Sequence, residues 1–288
     1  MANRRVLVKR RKSVRNIRKI TRTMQLIATA RFQAAFNRAV ATRPYTEKLA
    51  ELVADLSRAA GDVDHPLLKT HDEVPRSALV VLTSDRGLAG GYNANVLRTA
   101  LNHLEQQTAQ GVTTDVHMVG KKGIAYFRFL RQAIAQQTSG IGDKPRFEQV
   151  EGIANALMDR FMRGEIASAQ VAYMRFLSAG QQRPVVVQLL PLKAEASGAA
   201  ATPVEYEFSP EPKQLLDELL PATVRVRLFQ AFNDAAVSEQ VARMVAMKAA
   251  TDAAGDMIKA LTREYNRARQ TQITMELLDI VGGANALS

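Results

Sequence analysis

The last 67 residues, Ala222 to Ser288, contain no proline, and their glycines are Gly255 and the pair Gly282-Gly283. Within them Met244, Met247, Thr251, Ala254, Ile258, Leu261, Tyr265 and Ala268 recur at spacings of three and four. That is a heptad-like stripe on one long helix. At about 1.5 Å per residue, roughly 60 helical residues span about 90 Å. A helix of that length cannot be buried in a chain of 288 residues, so it needs a partner along its side. Residues 1–43 also lack proline and glycine, and Ile17, Ile20, Met24, Ile27 and Ala34 repeat the three-four spacing. After Pro44 a second helical stretch carries Leu49, Leu52, Val53 and Leu56 on one side. The expectation is an antiparallel coiled coil of the N- and C-terminal helices, the two stripes facing each other, closed by a globular middle. Pro44 should kink the first helix or sit at a local opening, and Pro221 should divide a short helical piece from the long one.

Charge is distributed unevenly. Residues 1–46 carry 13 Lys/Arg and no Asp or Glu, while residues 47–288 hold 26 basic and 28 acidic side chains. Such an arm can bind nucleic acid or an anionic surface, serve as a cleaved targeting peptide, or face an acidic protein partner. The apolar stripe runs unbroken through it to Phe32 and Phe36, which argues against cleavage. Aromatics do not interleave with the bases before Phe32, and no nucleic-acid recognition motif is present, which argues against nucleic acid. The chain has no Cys, hence no disulfide framework and no thiolate nucleophile. His65, His71, His103 and His117 lack metal-pair spacing and read as surface or loop residues. No run of 18 apolar residues exists to span a membrane.

The period changes between about 75 and 208. Ser77–Thr83 reads as a buried strand, Ala94–Gln110 as a helix, Thr114–Val119 as a strand, Lys121–Gln132 and Phe147–Arg163 as helices. Gln170–Leu177 and Pro184–Leu192 read as a hairpin across residues 178–183, Ala194–Pro203 as a loop, and Val204–Phe208 as a last strand. The fold class is α/β: a long coiled coil of terminal helices (1–60 and 212–288) plus a Rossmann-like central domain (75–208). The loop Ser84–Asn93 joins strand to helix, where backbone amides can hold phosphate. Its glycines, Gly87, Gly90 and Gly91, fit neither a dinucleotide fingerprint nor a P-loop, so it reads as a turn in which Asp85 and Arg86 make local hydrogen bonds. Asp85, Asp115, Asp143 and Asp159 lie on separate elements, and no catalytic constellation stands out.

Three blocks nevertheless carry a resemblance: IRKITRTMQLIATAR at 17–31, TSDRGLAGGYN at 83–93, and SEQVARMVAMKAATD at 238–252 continuing through YNRARQ at 265–270 to ITMEL at 273–277. In order and spacing they resemble the γ subunit of F-type ATP synthases over nearly the full length. The resemblance implies a central rotor shaft that couples proton-driven c-ring rotation to the conformational cycle of the catalytic β subunits, and that is itself no enzyme and binds no cofactor or metal. It implies as partners three α and three β subunits, the ε subunit and the c-ring of the membrane sector, with membrane contact only through that sector and no nucleic acid. It places Arg22 and Met24 on the N-terminal helix and Arg243 on the C-terminal one against the β subunits. Arg269, Gln270, Thr274 and Glu276 match the polar cluster gripping a β-subunit loop. Tyr206 and Glu207 fall in the segment that meets the c-ring, and Val281–Ser288 would enter a sleeve formed by the ring. By the residues alone, Met24 reads equally as a coiled-coil knob and Arg269 with Gln270 as a solvated face. Ala89 stands where many relatives have Cys, and the cysteine pair of the chloroplast form, with its insertion, is absent. Residues 28–32 read ATARF rather than the commoner AASKM. The expected location is peripheral, on the cytoplasmic face of a bacterial inner membrane. The alternatives are a nucleic-acid or anionic-surface binding coiled-coil protein using the basic arm, and an α/β enzyme using the loop at Asp85–Asn93.

Overall fold

The computed structural model describes residues 4–59, 65–71, 73–192 and 212–286. The chain forms two compact units, Ala30–Ala242 and Met1–Thr29 with Arg243–Ser288. Two helices contribute to both, α1 (Arg4–Ala59) and α5 (Pro212–Ala286).

The unit 30–242 is built on a five-stranded sheet. In chain order its elements are β1 (Arg76–Leu82), α2 (Tyr92–Ala109), β2 (Thr113–Val119), α3 (Lys121–Phe129), β3 (Gln136–Thr138), α4 (Phe147–Met162), β4 (Ser168–Ser178) and β5 (Gln181–Leu190). The sheet order is β3-β2-β1-β4-β5, with β5 antiparallel to β4 and every other pairing parallel. β1 is central and buried on both faces, which its continuous apolar run requires. Ala78, Val80 and Leu82 point to one face, packing with Val150, Leu157 and Phe161 of α4 and Leu216, Leu220, Val224 and Leu228 of α5. Leu79 and Val81 point to the other, with Tyr92, Val96 and Leu97 of α2 and Phe127 of α3. The period-two alternation of the strand thus divides the core into two layers.

The expected strands and helices of this region form within a few residues of their predicted ends. β3 escaped the sequence because Gln136-Gln-Thr138 is a short polar edge strand with no apolar run to mark it. α3 stops at Phe129 rather than Gln132, since Arg131 adopts a left-handed φ of 56°. The hairpin turn contracts to Ala179-Gly180, Ser178 pairing with Gln181. The loop expected at 194–203 and the strand at 204–208 lie outside the described residues.

Neither proline divides its helix: α1 runs through Pro44 and α5 through Pro221. Each costs a backbone hydrogen bond and a steric clash, and burial on both sides offsets it. Leu216, Leu220, Val224 and Leu228 are completely buried around Pro221, and Ala39 and Leu49 are buried around Pro44.

The unit of the two chain ends is an antiparallel helix pair. Thr21 Oγ1 and Thr251 Oγ1 lie 2.8 Å apart, the backbone of Gly255 faces the Arg18 guanidinium, and Arg11 stacks 4.9 Å over the Tyr265 ring, with Arg4 at 6.0 Å. On α5 the stripe is as expected: Met247, Thr251, Ala254 and Leu261 are buried, and Met244, Ile258, Tyr265 and Ala268 are half-buried. On α1 the expectation fails by one position. Ile17, Ile20 and Ile27 are 52%, 59% and 48% exposed and Ala34 is exposed, whereas Leu7, Thr21, Ala28 and Ala35 are buried and Val14 is half-buried. The buried row repeats every seven residues and is filled by small side chains, which allow close packing but carry a weaker apolar signal than the isoleucines beside them.

The central Thr21–Thr251 contact gives a double-mutant test. Thr21 also donates to Arg18 O and Thr251 to Met247 O. Either Thr→Val alone removes the inter-helix contact while the remaining hydroxyl keeps its backbone acceptor, and should cost about 1 kcal/mol, the double variant costing less than the sum of the two. Chemical denaturation of the four chains measures it.

Candidate functional site

Three regions carry side chains that could act on another molecule. The first is the groove between α1 and α5 in the helix pair, a cavity of about 970 Å3 lined by Lys12, Arg15, Arg18, Lys19 and Arg22 with Asp252 opposite. Arg11/Arg15, Arg15/Lys19 and Arg18/Arg22 are like-charge pairs at i,i+4, each unfavourable by about 0.2–0.5 kcal/mol in an isolated helix. The fold accepts this repulsion, and an anionic surface laid along the groove would relieve it.

The second region is the far end of α5. The Thr21–Thr251 and Arg4–Tyr265 contacts fix the register of the pair, and at about residue 268 α5 passes the first described residue of α1. From Gln272 to Gly282 every side chain is exposed, including Ile273, Met275, Leu277, Leu278, Ile280 and Val281. What holds this stretch helical is local: the Thr274 hydroxyl donates to Gln270 O at 3.0 Å and Gln272 Nε2 to Glu276 Oε1 at 2.8 Å. Six exposed large apolar side chains in nine residues exceed what a surface helix ordinarily leaves in water.

The residues singled out from the sequence fall on these surfaces. Arg22 is exposed and donates to Gln25 Oε1, and Met24 is half-buried. Arg269, Gln270, Thr274 and Glu276 are exposed, whereas Arg243 is buried to 6% exposure. Tyr206 and Glu207 lie outside the described residues. The exposed Ile17, Ile20 and Ile27 were assigned to the coiled-coil interior by the sequence, so their availability to a partner is a feature that sequence reasoning missed.

The third region is the crevice at the carboxyl ends of β1, β2 and β3, where open α/β sheets commonly hold ligands. A cavity of about 320 Å3 lies there, lined among others by Arg86, Tyr92, Lys121, Phe232 and Glu239. The position a phosphate would take is filled by a side chain of the protein. Asp85 Oδ1 accepts from the Lys121 amide and Oδ2 from the Gly140 amide, both at 3.0 Å, so its carboxylate sits on the N-terminus of α3. Ser84 and Asn93 close the same loop on each other through Ser84 N→Asn93 Oδ1 at 2.9 Å and Asn93 Nδ2→Ser84 Oγ at 2.8 Å. The loop is a turn, as the glycine spacing suggested, although Asp85 bonds across to α3 and the residue 140 loop rather than locally.

Several other carboxylates and imidazoles have structural partners. Asp115 on β2 pairs with Arg160 of α4 and with Arg76. His103 meets Gln170 Oε1 at 3.1 Å, and His117 meets Thr138 Oγ1 at 2.7 Å, with burial pushing the His117 imidazole below its usual range. His65, expected at the surface, is buried, and its Nδ1 accepts from the Leu67 amide. Asp234 is buried beside Gln230, which donates to it, and desolvation raises its carboxyl despite the nearby Arg43 and Arg175. Among the described residues no group of three or more His, Asp or Glu is placed to hold a metal ion, and no helix is long and apolar enough to cross a membrane.

Comparison with known proteins converges on one family. The family model described as ATP synthase matches residues 3–287. The chain is 46% identical to the ATP synthase gamma chain of Rhodopirellula baltica, covering 100% of this chain and 99% of that one. It is 41% identical to that of Haemophilus influenzae over 96% of each, and 39% identical to that of Leptospira biflexa over the whole of both. Among solved structures, a chain of the Euglena gracilis mitochondrial ATP synthase (OSCP/F1/c-ring, rotational state 3) shares the fold with a TM-score of 0.67 at 18% identity, covering 99% of this chain and 94% of that one. A chain of the Tetrahymena thermophila central stalk and c-ring aligns with a TM-score of 0.58 at 19% identity, over 80% of this chain and 99% of that one. This chain belongs to the family of ATP synthase gamma chains.

Proposed function

We propose that this chain works as a non-catalytic rotor shaft, turning inside a ring of three α and three β subunits and carrying rotation from the c-ring to the catalytic sites. The observation that carries the reading is the apolar surface left uncovered on both terminal helices: Ile17, Ile20 and Ile27 on α1, and Ile273 to Val281 on α5. A chain with a filled two-layer core has no internal use for these residues, and a sleeve of other subunits would cover them.

In this reading Arg22, Met24 and Arg243 meet the β subunits midway along the helix pair, while Arg269, Gln270, Thr274 and Glu276 meet a β-subunit loop farther along α5. The basic groove supplies electrostatic steering during assembly and a smooth attraction to acidic faces as the shaft turns. Each shaft angle interacts differently with the β conformers, and that difference shifts their populations. The parts divide as residues 1–60 and 212–288 for the shaft and 75–208 for the α/β domain, which would rest with the ε subunit on the c-ring near Tyr206 and Glu207. The chain would then sit peripherally on the cytoplasmic face of a bacterial inner membrane. The occupation of the α3 N-terminus by Asp85 speaks against a nucleotide in the crevice.

Co-expression with α and β subunits from the same source tests the reading. The expected result is a complex of three α, three β and one copy of this chain that hydrolyses ATP faster than α and β alone. If the chain stays apart from α and β and elutes with nucleic acid in a salt-dependent manner, the basic arm binds nucleic acid and the rotor reading is wrong.

A further inference from the structure

Within the unit 30–242, one loop residue binds both terminal helices. Asp143, on the β3–α4 connection, pairs through its carboxylate with the Arg31 guanidinium of α1. The other carboxylate oxygen accepts from Gln240 Nε2 of α5 at 2.9 Å. Its backbone carbonyl accepts from Arg38 Nη2 of α1 at 2.8 Å. Arg31 and Arg38 are two turns apart on one side of α1, so the loop holds that helix at two heights and α5 at a third point. The loop itself is built for the reach: Gly140 and Gly142 both adopt left-handed φ angles, 85° and 64°. The Gly140 amide is tied down by Asp85.

Elsewhere the helices meet the sheet through single hydrogen bonds, Arg43 Nη2 of α1 to Phe176 O at 3.1 Å and Ser238 Oγ of α5 to Met174 O at 3.0 Å, and through apolar packing, that of Leu216 to Leu228 of α5 included. Phe176 near the end of β4 sits among Phe32, Ala35, Phe36, Ala39, Val237 and Val241. Apolar packing resists separation, but it is non-directional and yields to sliding and rotation more readily than a set of directed bonds. An ion pair reinforced by two further hydrogen bonds, all on one residue and reaching two helices, resists rotation.

We propose that Asp143 is a positioning residue for energy coupling, the clasp through which the α/β domain keeps α1 and α5 in angular register when the shaft turns against a load. The proposal rests on the rotor reading above. It is specific about where compliance enters: without the clasp, the domain slips relative to the helices under torque but not in their absence. The Arg31–Asp143 pair is partly exposed, so its loss leaves no buried unpaired charge and the fold is retained.

The test uses the complete synthase, membrane sector included, reconstituted in vesicles with wild-type chain, Asp143→Ala, Asp143→Asn, Asp143→Glu and the exchange Arg31→Asp with Asp143→Arg. Wild-type assembly and ATP-driven proton pumping come first, and their absence would count against the rotor reading rather than the clasp. The expected result is ATP hydrolysis by the soluble complex within about twofold of wild type for Asp143→Ala, with protons pumped per ATP falling about fivefold. Asp143→Asn, which keeps an acceptor for Gln240 and loses the charge, should fall in between. Asp143→Glu and the exchanged pair should recover pumping. If Asp143→Ala does not assemble, Asp143→Asn decides. Pumping and hydrolysis falling together in Asp143→Asn, or an unchanged ratio in both variants, would overturn the proposal, since the first marks a purely structural residue and the second an idle one.

Discussion

Replacing Gly120 with alanine should destabilise the α/β domain severely. Gly120 joins β2 to α3 with φ at 96° and ψ at 138°, a region closed to side-chain-bearing residues. A Cβ built there would lie 2.1 Å from the carbonyl oxygen of Thr83, which is backbone and cannot rotate away. The conformational cost is about 1–3 kcal/mol. Relief of the clash would pull β1 from β2 at a point where Thr83 N donates to Val119 O at 2.9 Å, Thr83 Oγ1 to Val119 O at 2.7 Å, and the Gly123 amide to Thr83 Oγ1 at 3.0 Å. Each of those bonds contributes about 1 kcal/mol. The expected loss is about 3–5 kcal/mol, equivalent to a melting temperature roughly 10 °C lower for a unit of this size. Gly111→Ala is the control. It shares a positive φ, 77°, but a Cβ there meets nothing within 4 Å, so the loss should stay near 1 kcal/mol. Thermal melts of the two variants should separate clearly, and equal losses would show that backbone conformation alone, not the Thr83 contact, sets the cost.

The triple change Ile17→Gln, Ile20→Gln, Ile27→Gln should leave the isolated chain folded and abolish tight assembly. These side chains are about half exposed, so the free chain gains little from them and each substitution should move its stability by about 0.5 kcal/mol or less. Covering the remaining half of each isoleucine against a partner is worth about 1 kcal/mol apiece. The sum corresponds to an affinity for the α and β subunits reduced about a hundredfold. Titration of the labelled chain against α and β subunits, alongside a thermal melt of the free chain, separates the two effects. A fall in melting temperature without a loss of binding would return the three isoleucines to the helix-pair interior, where the sequence had placed them.

That misplacement shows how far the sequence reaches. Two long proline-poor ends, a period change in the middle and a continuous apolar run at 77–83 were enough to predict an antiparallel helix pair and an α/β domain with a parallel portion and an antiparallel edge. On α5 the predicted stripe is the buried one: Met247, Ala254 and Leu261 are buried, while Val245 and Met257 beside them are exposed. On α1 two apolar rows compete. Ile17, Ile20 and Ile27 are the more hydrophobic, and the row that is buried, Thr21 and Ala28 between Leu7 and Ala35, is the smaller. The helices choose close approach over the larger side chains, a decision made by the partner helix and invisible in α1 alone.

Other features depended in the same way on groups distant in sequence. Pro44 and Pro221 are locally helix breakers, and only burial of the leucines, alanines and valines around them keeps each helix continuous. Asp85 looked like a residue of its own loop, and the fold aims it at amides 36 and 55 positions away. Asp143 gave no local signal, because its partners on α1 and α5 are 112, 105 and 97 residues distant. By itself, then, the sequence determined what repeats or runs locally: the helix pair, the strand order within each α/β segment, the basic arm, and the family through its three blocks. The tertiary structure decided which of two helix faces is buried, which carboxylate caps α3, and which loop holds both helices, since each is a competition between contacts that exist only once the chain has closed.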